Sequence, residues 1–171
     1  MNADESRAIQ APLKDRYRAE PQAPRITLKA SGALDSAAIA CKVETGRAIA
    51  AAGLHPATGG SGAELCSGDM LLEALMACAG VTLKAVATAI GVSLRSGRVS
   101  AEGDLDFRGT LGVAKGAPVG FADIRLSFAL DTDASPAELD TLLKLTERYC
   151  VVLQTLKRPP TIETTLTREA V

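Results

Sequence analysis

The sequence predicts an α+β protein in which antiparallel sheet packs around a buried central helix. Three observations lead there. Strand-like segments come in runs rather than alternating singly with helices, which favours antiparallel sheet over a doubly wound parallel one. One segment, Ser67–Val92, is apolar on nearly every face, whereas a surface helix carries a wide polar stripe. The chain has 171 residues, 47% of them hydrophobic, enough for one domain with a core of ordinary size.

Residues 1–24 are polar, contain Pro12, Pro21 and Pro24, and read as an arm with one short helix near Leu13–Ala19. The domain itself is expected over residues 25–171. Arg25–Ala30 alternates Ile26, Leu28 and Ala30 with Arg25, Thr27 and Lys29, the pattern of a half-buried strand. Ser31–Asp35 reads as a turn and Ala38–Glu44 as a second strand. Thr45-Gly46 reads as a hairpin turn into Arg47–Ala52, and Gly53–Gly62 as a loop. The central helix then opens with Ser67 as N-cap and Asp69 in its first turn, facing the positive end of the dipole, and stops at Gly91.

Residues 70–90 are long enough to cross a bilayer. Glu73 and Lys84 lie inside that stretch, and charged residues at a membrane centre each cost about 2.5–3.5 kcal/mol. Six of those residues are alanine, which adds little drive for insertion, so a helix buried in protein is expected and no membrane association. One chain of this kind offers too little surface to bury such a helix. A homodimer would supply it. The small residues of Ala77–Gly80 would admit another backbone closely.

A second β region follows. Gly97–Phe107 and Val119–Leu130 alternate, joined by a glycine-rich loop or hairpin over Arg108–Pro118. Ser135-Pro136 with Glu138 is a helix start, combining N-cap, proline at the first position and an acid at the third. That helix presents Leu139, Leu142, Leu143 and Leu145 and ends near Tyr149. Cys150–Lys157 reads as a further short helix, Pro159-Pro160 breaks it, and Thr161–Thr167 alternates as a last strand.

Composition removes several function classes. Lysine and arginine number 19 against 20 acids, a net charge of −1, so there is no electrostatic footprint for nucleic acid. Two tyrosines, three phenylalanines and no tryptophan offer no stacking platform for single strands. A single histidine, His55, and no CxxC pair leave a metal centre without ligands, and no motif calls for a cofactor. The first twenty residues hold no apolar leader, so a cytoplasmic location with cysteines as free thiols is expected.

The four cysteines are the candidates for chemistry. Cys41 sits among apolar strand residues as a small hydrophobe. Cys66 stands just before the central helix, where a thiol is acidified. Cys78 lies three turns into that helix, beyond the reach of its dipole, and Cys150 ends a later helix. His55 in GLHPATGG reads as a loop residue. Glu73, about 140° round an ideal helix from Cys78, does not face that thiol.

The run GGSGAELCSGDMLLEALMACAGVTL at Gly59–Leu83, followed by LTERYC at Leu145–Cys150, resembles the OsmC/Ohr family, the osmotically inducible and organic hydroperoxide resistance proteins. The resemblance covers Ile26–Thr167. It implies an intertwined homodimer with two central helices wrapped by antiparallel sheets. It implies a thiol peroxidase in which Cys78 attacks an organic hydroperoxide and Cys150 resolves the sulfenic acid as a disulfide. A thiol reductant, such as a dihydrolipoyl protein, then restores both. An arginine held by a glutamate normally covers the reactive thiolate; Arg47 is the nearest candidate by order and Arg25 the next. The glutamate's place, ten residues before the first cysteine, is Gly68 here, and Pro-Glu has become Ser-Gly. Asp69, one position later, and Glu64, four earlier, are the acids nearest it, and Cys66 beside it is a further redox candidate. Many members also have Cys-Pro where this chain has Cys150-Val151. These departures frame an alternative: a non-catalytic protein of the same fold that binds an apolar small molecule at the dimer interface.

Overall fold

The computed structural model describes residues 2–19, 31–34, 40–44, 49–112 and 114–168. The chain opens with α1 (Ala3–Ala19). Strands β1 (Ser31–Leu34), β2 (Ala40–Glu44), β3 (Ile49–Gly53) and β4 (Leu65–Cys66) then lead into α2 (Ser67–Ile90). After it come β5 (Ser96–Asp104), the single turn α3 (Phe107–Thr110), β6 (Asp123–Asp131), α4 (Pro136–Tyr149) and α5 (Val151–Lys157). This is the expected α+β order.

Two sheets form. The first runs β1-β2-β3-β4, with antiparallel pairs from Ser31↔Glu44 and Glu44↔Ile49 and a short parallel pair at Gly53↔Cys66. The second is the antiparallel hairpin β5-β6, in register from Ser96↔Asp131 to Asp104↔Asp123. Along β6 burial alternates residue by residue, the signature of one face on a core. Helix α2 packs against β5, α4 and α5. The core is Leu83, Val86, Ala87, Val92 and Leu142, with Phe128, Leu130, Leu139 and Leu145 closing over it.

Local chemistry explains the boundaries. Gly91 ends α2 at φ 79°, a left-handed conformation that glycine adopts at no steric cost. Ser135 and Glu138 form a reciprocal capping box at α4, as their spacing predicts. Gly103 has no Cβ because the Phe121 ring occupies the place: a Cβ there would sit 2.5 Å from Cε1.

Several expectations are corrected. The N-cap of α2 is Cys66, one residue before Ser67, and its side chain makes no capping hydrogen bond. Ser31–Leu34 is not a turn but the strand β1, paired along its length with β2. The helix of the arm spans Ala3–Ala19, four turns rather than two, because Asn2 and Glu5 cap it reciprocally, each backbone N–H donating 2.9 Å to the other's side chain. The connection after β5 contains α3, capped by Asp106. Thr161–Thr167 forms no strand: it pairs with no strand among the described residues, and Ile162 and Leu166 are 78% and 97% exposed. The proposed strand at Arg25–Ala30 and the turn at Thr45-Gly46 fall outside the described residues.

One face of α2 is covered, by Leu75, Ala79, Leu83, Val86 and Ala87 turned toward the rest of the chain. The opposite face is open: Val81 is 73% exposed there, among exposed Ala74, Ala77 and Ala85 and the charged Glu73 and Lys84. Of the described helices, α2 alone is long and apolar enough to cross a membrane, by length and composition.

Candidate active site

Two elements far apart in sequence build the site. Cys78 sits in the middle of α2. Cys150 is the hinge between α4 and α5, the last cap of one and the first of the other, in extended conformation at φ −72° and ψ 108°. Its N–H donates to the Thr146 carbonyl at 3.0 Å, and its carbonyl accepts from the Gln154 N–H at 2.9 Å. The hinge therefore stays hydrogen-bonded to both helices while turning the chain. Buried residues on α4 recur as Leu142, Thr146 and Cys150, one stripe at helical spacing, and α2 packs on both α4 and α5.

Across that packing the two thiols become neighbours, each acting on the other's titration. They are not equivalent. Cys78 is half-buried and Cys150 wholly buried. Desolvation is the largest single influence on Cys78 and pushes its thiol up. The Val152 amide first, then the Cys150 thiol and the Val151 amide, act the other way, and the Cys78 thiol lies below its ordinary value. For Cys150 desolvation again leads, and the neighbouring Cys78 sulfur adds to it, so that thiol is pushed up. The pair is one sulfur tuned toward thiolate and one held as a proton donor. Proline at 151 would have no N–H to offer; valine supplies one of the donors that act on Cys78.

The other sequence candidates lie elsewhere. Asp69 is exposed in the first turn of α2, nine residues before Cys78, about 13.5 Å of helical rise away, so within one chain it does not reach the thiol. Arg47 and Arg25 fall outside the described residues. Cys66 is half-buried at the far end of α2, in a cavity with Gly68, His55 and Phe121, and is not joined to Cys78. A Cβ at Gly68 would lie 3.4 Å from Phe121 Cζ and 3.6 Å from Cys66 Sγ, ordinary contacts. His55 is a loop residue: its Nδ1 accepts from the Ala57 N–H at 3.0 Å and its ring stacks on Phe107 at 4.8 Å. Glu73 is exposed. Among the described residues no cluster of histidine, cysteine and acids is placed to hold a metal. Thr82 and Thr146 were not legible as site residues; their spacing, four after Cys78 and four before Cys150, is the signal that marks them.

An α+β fold with a long apolar helix carrying one of two neighbouring thiols is the architecture of a known family. The family profile of OsmC-like proteins matches residues 60–165, and the chain belongs to that family. No curated protein matches it. Solved structures share the fold at low identity. An OsmC-like protein from Mycoplasma pneumoniae superposes with a TM-score of 0.64 at 16% identity, covering 78% of this chain and 89% of that one. An organic hydroperoxide resistance protein from Elizabethkingia anophelis gives 0.62 at 14%, covering 80% and 92%. The organic hydroperoxide resistance protein OsmC from Legionella pneumophila gives 0.61 at 14%, covering 78% and 93%.

Proposed function

We propose that this protein is a cysteine-based peroxidase for organic hydroperoxides. The observation that carries the reading is the asymmetric thiol pair, in which the more accessible sulfur is acidified and the buried one stays protonated. The Cys78 thiolate attacks the outer oxygen of the O–O bond. The alkoxide leaves and takes up a proton, and Cys78 becomes a sulfenic acid. The Cys150 thiol then condenses with it, forming the Cys78–Cys150 disulfide and water. A dithiol reductant, of the dihydrolipoyl class, returns both sulfurs to thiols by exchange. The Val151 and Val152 amides, which lower the Cys78 thiol, take over part of the work that an arginine–glutamate pair would do, in a chain where Gly68 occupies the glutamate's place; Arg47 is the arginine proposed to join them.

The working unit is proposed to be a cytoplasmic homodimer, with residues 25–171 as the domain and 1–24 as an arm. The exposed Val81 and small alanines on the uncovered face of α2, with the exposed Ile162 and Leu166, support it, since a second copy would cover them. A second reading, binding of an apolar small molecule without catalysis, is favoured by Gly68 and by an apolar groove of about 520 Å³ lined by Leu83, Leu126, Phe128, Leu142 and Leu153, to which neither sulfur belongs. Steady-state reduction of cumene hydroperoxide by dihydrolipoamide separates the two. The expected result is turnover that vanishes in Cys78→Ser. Absence of turnover in the wild type, with saturable retention of the intact hydroperoxide, would favour the binding protein.

A further inference from the structure

Threonines on α2 and α4 reveal an exception. Thr82, Thr88 and Thr141 each return their hydroxyl to the carbonyl one turn back, at 2.8, 2.8 and 2.9 Å. Thr146 does not. It is 1% exposed, and its Oγ1 has no hydrogen-bond partner among the described residues. A buried hydroxyl without a partner is disfavoured, and valine would fill the same volume without that cost. The exception falls on the residue one turn before Cys150, on the same buried stripe. Side chains so spaced have Cβ atoms about 5–6 Å apart.

The resolving step has a proton to move. As Cys150 attacks the Cys78 sulfenic acid, the S–H proton must leave a buried thiol and the departing hydroxide must gain one. The groups acting most strongly on the pair are the two thiols, the amides of α5 and the Thr82 hydroxyl, which is committed to the Cys78 carbonyl. A hydroxyl both accepts and donates, so it can pass a proton on without net change. We propose that the unpartnered Thr146 hydroxyl is the positioning group and proton relay of disulfide closure, accepting the Cys150 proton while giving its own to the hydroxide that leaves Cys78. The step balances as Cys150–SH plus Cys78–SOH giving the Cys78–Cys150 disulfide plus water. The S–H and S–O bonds break, an S–S bond forms, the Cys150 sulfur is oxidised and the Cys78 sulfur is reduced. In the reduced protein the hydroxyl is bonded to neither sulfur, so the relay requires it to engage the sulfenic oxygen and the Cys150 thiol once the oxygen is added. This proposal rests on the peroxidase reading above.

The test is a single turnover of reduced wild type, Thr146→Val and Thr146→Ser with one equivalent of cumene hydroperoxide, quenched over time and read by mass spectrometry with dimedone trapping. Cys78 sulfenic acid is expected to form at the wild-type rate in both variants. Closure is expected to slow by about 100-fold in Thr146→Val, the low end for positioned proton transfer, with trappable sulfenic acid accumulating. Thr146→Ser is expected to close at close to the wild-type rate. Thermal stability of Thr146→Val is expected to equal or exceed that of the wild type. If wild type and Thr146→Val close equally fast, the relay is wrong and the peroxidase reading stands. If the valine variant loses stability, slows both steps and is not rescued by serine, Thr146 is structural and the relay is overturned. If wild type yields neither sulfenic acid nor disulfide, both readings fall.

Discussion

At the scale of single residues, Cys78 and Cys150 carry the same group in opposite states because their surroundings differ. Hydrogen bonds favour the charged form of Cys78, while burial and a neighbouring sulfur favour the neutral form of Cys150. At neutral pH, iodoacetamide is therefore expected to modify Cys78 faster than Cys150, with a rate midpoint below the ordinary thiol value of about 8.5. Peptide mapping over a pH series checks this; equal rates for the two would contradict it. Stability follows the same signs. The lowered Cys78 thiol contributes stability that is present above the unfolded value and lost as pH falls through the folded one. The raised Cys150 thiol contributes stability that is present below the unfolded value and lost as pH rises through the folded one. The two cysteines were legible in the sequence as a motif pair. Thr82 and Thr146 were not, since whether a helical hydroxyl back-bonds or stays open depends on what packs over it.

At the scale of elements, the structure rests on a few local devices whose removal has calculable effects. Ser135 closes the capping box of α4, so Ser135→Ala is expected to cost about 1 kcal/mol, read as a lower denaturation midpoint at unchanged slope. Gly103→Ala forces a Cβ into the Phe121 ring and is expected to cost about 1–3 kcal/mol. A wild-type midpoint in either variant would show that the local contact is dispensable. These devices also mark what a sequence reveals. Ser135-Pro136 with Glu138, and the glycine after Ile90, could be placed because their chemistry is local. The Asn2–Glu5 capping box has the same form but was hidden by Pro12, which sits inside α1. Strand β1 (SGAL) consists of small residues with no alternation to read, and pairing with β2 decides it. Thr161–Thr167 shows the converse: its alternation is clear, but a strand needs an edge to pair with.

At the scale of the molecule, the exposed face of α2 is the largest departure from a self-sufficient chain. The lack of a wide polar stripe identified the helix as one needing burial; only the fold shows which face the chain itself covers. Val81, at 73% exposed, lies on the open face. Light scattering is expected to give twice the chain mass for the wild type and a shift toward single chains for Val81→Glu. A wild-type mass of one chain at micromolar concentration would remove the homodimer. The thiol pair lies within one chain, so its contact should survive that substitution even if turnover falls.

The most direct measurement of the central claim is the state of the four cysteines after one equivalent of cumene hydroperoxide is added to the fully reduced protein. Intact-mass and peptide mapping are expected to show a single intrachain disulfide joining Cys78 to Cys150, with Cys41 and Cys66 still thiols, and no disulfide in Cys78→Ser. Persistence of both Cys78 and Cys150 as thiols, under conditions that oxidise a thiol peroxidase, would contradict the account.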